Sequence, residues 1–208
     1  MFDTCKGLMF SPAEKWRVDA KRKAHALNQR FNALSEEDLE ERNAVLKELF
    51  GELKEGVSFN APIRFHYGIH TKIGKGSFFN FNFTCQDDGN VTIGENCNFG
   101  PNVTVTTAMH PLLAEERLSM MGPDKVAQKL CWAEPVVIED NCWICAGVTI
   151  LPGVTIGKNS VIGAGSVVNR SIPSDCLAAG NPCRVIRKLG EKDSLKNRPD
   201  ILGDCSVI

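Results

Sequence analysis

Four histidines, His25, His66, His70 and His110, are the side chains of this chain best suited to move a proton near neutral pH, because an unperturbed imidazole titrates at about 6.5. His110 stands in Met109-His110-Pro111, where a regular run of apolar residues stops. A histidine at such a point can act as general base toward a hydroxyl. His66 and His70, in "RFHYGIH", share strand parity. With His110 they make three imidazoles nominally available as neutral zinc ligands, the set a hydratase would need. His25 falls in a basic, helix-like stretch and reads as a helix-face residue. Cys142-Trp143-Ile144-Cys145 has the CxxC spacing that elsewhere serves redox chemistry or half a zinc site. Toward the C-terminus, "NPCRVIRKL" carries Arg184 and Arg187, whose planar forks of donors suit phosphate.

The scaffold that must hold these groups is legible in "VTILPGVTIGKNSVIGAGSVV", where Ile150, Ile156, Ile162 and Val168 stand six residues apart. The spacing extends back through Ile144 to Ile138, and recurs at Ile93, Phe99 and Val105 and at Ile73, Phe79 and Cys85, twelve hexads altogether. Four residues after the large one comes a small or β-branched one, as at Cys97, Val103, Cys142, Val148, Val154, Ser160 and Ser166. An offset of four preserves strand parity, so both positions face one side; six is no multiple of the helical 3.6. The pattern predicts a mainly β fold, a parallel β-helix, with three hexads per coil and four coils. In this register Cys142 faces inward and Cys145 outward, so the CxxC is a coincidence of the repeat.

The period breaks twice. Between Cys85 and Ile93 the spacing is eight, around the turn-rich "DDGN"; between Val105 and Ile138 it is 33, which sends a loop at about 107–134 out of the wall. Long loops on a rigid scaffold tend to carry function. Ahead of the hexads, residues 1–56 read as a helical segment. "SPAE" at Ser11 to Glu14 predicts a capping box opening a basic helix that runs to about Leu34. An acidic helix follows from Ser35, with Leu39, Leu46, Leu49 and Phe50 on one side and Gly51 as its stop. Opposite charge suits a hairpin. The hexad domain spans 57–188, and 189–208 is a polar tail.

A net charge of −1 gives no general attraction to nucleic acid or membrane, and no apolar run approaches the ~20 residues of a spanning helix. The N-terminus "MFDTCKGLMFSPAEKW" has no secretory pattern, so the cytoplasm is expected. Nine cysteines at irregular spacing fit free thiols better than a disulfide framework.

Several of these segments together resemble the galactoside and maltose O-acetyltransferases of the hexapeptide-repeat acyltransferases: "NFNFTCQDD", "IGENCNFGPNVTV" leading to His110, "DNCWICAGVTILPGVTIGKNSVIGAGSVV" and "AAGNPCRVIR". The likeness spans nearly the whole chain. It implies a left-handed β-helix, a homotrimer with active sites between subunits, acetyl-CoA as donor, a sugar hydroxyl as acceptor and no metal. It implies that His110 is catalytic, that Asp3, His66, Asn80 and Asp88 meet the sugar, and that Trp143 lies beside the acetyl group. Ala146 and Ala164 would border the pantetheine arm, with Asn169, Arg170, Arg184 and Arg187 toward the nucleotide. The chain departs from the family pattern in having His66 for a serine, Ala146 for a serine and Asn169 for a threonine. Outside this reading stand a zinc carbonic anhydrase-like hydratase and a noncatalytic β-helix that only binds.

Overall fold

The structure, a computed structural model, describes residues 8–122 and 125–207. Two helices open it. α1 (Lys15–Ala33) buries Ala24, Leu27 and Phe31, spaced for one face, and α2 (Leu39–Leu49) buries Val45, Leu46 and Leu49. The hairpin is laced by Lys23–Glu48 at 3.0 Å and Arg30–Glu41 at 2.9 Å, exposed pairs worth under about 1 kcal/mol each.

Both helices start later than the sequence suggests. Glu14 Oε1 does accept from the Ser11 N–H and Ser11 Oγ from the Ala13 N–H, but these bonds close a turn ahead of α1. Leu39, expected on the buried side, is 65% exposed. Gly51 is no left-handed helix stop. A Cβ there would lie 2.3 Å from the Ile69 carbonyl oxygen, so glycine is needed for close approach to the wall.

The wall is a parallel β-helix of left-handed type. Its first coil is β1 (Glu52–Leu53), β2 (Ser58–Phe59) and β3 (Ile63–Phe65); its second β4 (Thr71–Ile73), β5 (Phe78–Phe79) and β6 (Phe83–Gln86); its third β7 (Val91–Ile93), β8 (Asn98–Phe99) and β9 (Thr104–Thr106). The extruded segment then carries β10 (Ala108–Met109), α3 (Ala114–Leu118), the hairpin β11 (Met120–Met121) with β12 (Ala127–Gln128), and β13 (Trp132–Ala133). The fourth coil is β14 (Val136–Ile138), β15 (Trp143–Ile144) and β16 (Thr149–Ile150), the fifth β17 (Thr155–Ile156), β18 (Val161–Ile162) and β19 (Val167–Val168). A partial sixth is made by Ile172, bridged to Ile156, and β20 (Cys176–Ala179), on which β21 (Arg184–Lys188) folds back antiparallel.

Three faces result. Sheet A stacks β1-β4-β7-β14-β17, sheet B β2-β5-β8-β15-β18-β20-β21, and sheet C β3-β6-β9-β16-β19. The coil count exceeds the expected four because Leu53, Phe59 and Phe65 form an earlier run of hexads, so the wall begins before residue 57.

Register follows the hexad. Ile73, Ile93, Ile138 and Ile156 pair in succession in sheet A, and every predicted large inward residue is at most 2% exposed. The small inward residues are equally buried, Cys142 among them, whereas Cys145 is partly exposed. Phe59, Phe79 and Phe99 stack face to face, with centroids 4.2 and 4.5 Å apart, and Phe50 from the end of α2 covers the column. Thus the hairpin plugs one end of the prism.

It also satisfies an open sheet edge. The Asn28 amide donates to the Phe65 carbonyl (2.7 Å) and accepts from its N–H (3.1 Å); Asn32 does the same for Ile63 at 2.9 and 2.8 Å. The two asparagines are one helical turn apart, so α1 supplies the ladder that a missing strand would have supplied.

Candidate active site

Every interruption of the period falls at one corner, that between sheets C and A. Regular coils pass from Ile150 to Ile156 in six residues; the first and second coils take eight, Phe65 to Ile73 and Cys85 to Ile93, and the third takes 33. Three enlarged turns are therefore stacked on one another. They carry His66 and His70, then Asp87 and Asp88, then His110.

Asp87 is fully buried and ties the turns together. Its carboxylate accepts from the Tyr67 N–H (2.8 Å) and the Thr71 hydroxyl (2.9 Å), and its carbonyl faces His70 Nδ1 at 2.7 Å. A carbonyl only accepts, so Nδ1 carries the proton and Nε2 is left as the acceptor. Burial lifts the Asp87 carboxyl to about 7, against the bonds it accepts. The third turn is keyed in by Thr107, whose hydroxyl donates to the Gln86 carbonyl and accepts from the Gly89 N–H, both at 2.9 Å.

Beside Asp87, Asp88 is 4% exposed, and its Oδ2 has no hydrogen-bond partner. The Tyr67 hydroxyl and Arg17 Nη1 are in the same condition, and these three are the only such buried side-chain atoms among the described residues. Burial, then the charge of Asp88, raises Tyr67 to about 12. Burial lowers His66 and His70, opposed in His66 by Asp88 and in His70 by its bond to Asp87. Both imidazoles are held toward the neutral form. Arg17 is fixed by Glu14 Oε2 at 3.1 Å and lies over the Phe10 ring at 3.7 Å, while Phe10 bridges Cys131 of the extruded segment.

His110 follows β10, whose pairing with β13 (Ala108 opposite Ala133, Met109 opposite Trp132) closes the neck of the extruded segment. The side chain is exposed on the corner that carries His66 and Asp88.

Of the other expected residues, Asn169 and Arg170 lie further along this same corner, in the turn from β19 to Ile172, and the rest fall elsewhere. Asn80, Ala146 and Ala164 lie at the corner between sheets B and C, where the Gly165 N–H donates to the Ala146 carbonyl at 2.9 Å. Asn80 Oδ1 accepts from Asn60 (3.2 Å) and from the Phe81 N–H (2.8 Å). Trp143 projects from sheet B between Asn98 and Val161 and is 54% exposed, so it is no core aromatic. Asn169 and Arg170 follow β19, and Arg184 Nη1 donates to Asn169 Oδ1 at 3.1 Å. Arg187 is doubly bonded to Asp193, at 2.6 and 2.8 Å, so the tail already occupies its fork. Asp3 lies outside the described residues.

Among the described residues no three His, Cys, Asp or Glu side chains gather as a metal would require, and His66, His70 and His110 do not converge. Sequence reasoning missed Arg17 and Tyr67 and gave no role to Asp87. The available signal was the eight-residue step from Phe65 to Ile73, twin of the one at "DDGN".

A cleft of about 590 Å³ lies between α1 and the outer face of sheet C, bordered by His66. It contains none of the residues around His110.

Three family models match the chain: the bacterial transferase hexapeptide (six repeats) at 135–170, the maltose acetyltransferase hexapeptide capping motif at 6–54, and the hexapeptide repeat of succinyl-transferase at 90–108. The galactoside O-acetyltransferase of Escherichia coli K12 is 39% identical over 191 residues, 92% of this chain and 85% of its own. A solved hexapeptide-repeat acetyltransferase of Vibrio cholerae, complexed with acetyl coenzyme A, superimposes with a TM-score of 0.80 at 33% identity, over 91% of this chain and 97% of that one. A galactoside acetyltransferase in complex with coenzyme A gives 0.82 at 35% identity, over 97% and 94%.

Proposed function

Since the chain belongs to the galactoside and maltose O-acetyltransferases, acetyl-CoA-dependent acyltransferases of the hexapeptide-repeat type, we propose that it moves the acetyl group to a sugar hydroxyl by direct attack, with His110 as general base. The observation that carries this reading is the stacking of every enlarged turn at one corner, the corner on which His110, His66 and Asp88 all fall. The acceptor oxygen forms the new bond to the acetyl carbon while His110 takes its proton. The thioester C–S bond then breaks, and the proton passes to the departing CoA sulfur. Asp88, buried with a free Oδ2, is suited to accept from an acceptor hydroxyl. Arg184 and Arg170 are exposed cations that suit the phosphates of CoA; Arg187 joins them on release from Asp193.

A homotrimer is part of the proposal. Asn80, Ala146 and Ala164 stand on a different corner from His66, Asp88 and His110, and Trp143 on the outer face of sheet B, so one copy supplies only half the ring of groups. The extruded segment leaves Leu112, Leu113, Leu118, Met121 and Val126 more than half exposed, an apolar surface suited to a neighbouring copy. We place the protein in the cytoplasm, where the eight cysteines among the described residues would stay free thiols, as they are here. No described helix is long and apolar enough to cross a membrane. The test is release of CoA from acetyl-CoA against a panel of mono- and disaccharides. Failure of every sugar to stimulate release above hydrolysis would overturn the acceptor assignment.

A further inference from the structure

The volume of the cleft between α1 and sheet C sits within the roughly 300 to 1,000 Å³ of small-molecule sites. Its walls are rigid, because Asn28 and Asn32 pin the helix to β3 with both their amide groups. Those amides are spent. The side chains left to face a ligand are His25, Gln29, Arg64, His66, Thr84 and Gln86: two imidazoles, two amides, a hydroxyl and a single arginine. Such a lining offers donors and acceptors in mixture and no carboxylate, so it fits a neutral molecule rich in hydroxyls better than a cation or a phosphate ester.

His66 connects this cleft to the corner already described. Its ring lies 5.7 Å from that of His25 on the helix side and 4.9 Å from Tyr67 on the other, and it feels the charge of Asp88. One imidazole thus borders both spaces. We propose that the cleft is a second acceptor subsite, which seats the neighbouring residue of a disaccharide or glycoside whose reacting ring lies by Asp88, with His66 at the junction. This rests on the reading of the protein as a sugar O-acetyltransferase. It makes the preferred acceptor longer than one ring. It also gives a reason for a histidine at position 66, where the bulk of an imidazole divides two sugar residues.

The experiment compares maltose with glucose and lactose with galactose, reading kcat/KM from CoA release, for the native chain and for Gln29→Ala and Arg64→Ala. Both positions are exposed, so neither change threatens the fold. The expected result is a preference of about tenfold for the disaccharides, cut about fivefold in each variant, with the monosaccharide values within twofold of native. Equal kcat/KM for both acceptor lengths, or a loss shared by both, would overturn the subsite. Binding of maltose, followed by NMR of the His25 and His66 imidazoles, separates this claim from the reading beneath it. Perturbed resonances without acetyl transfer would uphold the cleft as a sugar site and sink the sugar-acceptor assignment; transfer without length preference or perturbation would do the reverse.

Discussion

At the scale of single residues, the mechanism stands on His110. His110→Ala should lower kcat by roughly 10² to 10⁴, the usual worth of a positioned base, while acetyl-CoA binding, followed by calorimetry, stays near native. Near-normal turnover in that variant, or a trapped acetyl group on Cys145, would refute direct attack. The arginines should differ from each other. Arg184→Ala should raise the KM for acetyl-CoA by the equivalent of about 1.5 to 3 kcal/mol and leave the acceptor KM alone. Arg187→Ala should cost less, because its guanidinium must first leave Asp193. Asp87 gives a pH signature. Its carboxyl titrates at about 7 in the fold against about 3.9 in an unfolded chain, so between those values the native state holds a proton that the unfolded state has released. Stability therefore falls as pH climbs from about 4 to about 7. Urea unfolding across that window should show this slope in the native chain and a flatter one in Asp87→Asn; identical slopes would remove Asp87 as its source.

At the scale of elements, the hexads made the strands legible because an inward side chain every second residue is enforced by a narrow core, and a violation would bury a charge or leave a void. The first coil was harder to read, since β1 follows the end of α2 after only Phe50 and Gly51 and so reads as part of the helical segment. The helix starts were misread because the bonds of Ser11 and Glu14 can close a free-standing turn as well as a first helical turn. Arg17 and Tyr67 were invisible for a further reason. Their burial depends on α1, the first coil and the extruded segment meeting, and no local pattern encodes that meeting. The docking of α1 has a measurable weight. Asn28→Ala strands the N–H and carbonyl of Phe65 in a buried position, and should cost about 2 to 4 kcal/mol. Denaturant melts at fixed protein concentration would show it, and a loss under about 0.5 kcal/mol would mean that water replaces the amide.

At the scale of the whole molecule, the division of groups between two corners predicts complementation. His110→Ala and Asn80→Ala should each be poorly active alone, yet refolding them together at equal amounts should restore roughly a quarter of native activity, because a mixed ring pairs an intact corner of one copy with the intact corner of the next. A mixture no better than the average of its parts would put both groups in one subunit's site.

The axial hydrogen bonding of the prism has a mechanical consequence. Leu53, Ile73, Ile93, Ile138, Ile156 and Ile172 pair in succession, so the five coils are 20, 20, 45, 18 and 16 residues long, and the bonds that join them all point along the axis. Stretched from its two ends, the wall carries the load on one coil boundary after another in series, like the turns of a tape being unwound. Each coil of 16 to 20 residues that lets go frees ~55 to 70 Å of chain, and the third frees about 150 Å. The force trace of a single molecule should be a staircase of low steps, the one from the third coil about twice as long as the others, unlike the one tall rupture expected of strands sheared in parallel.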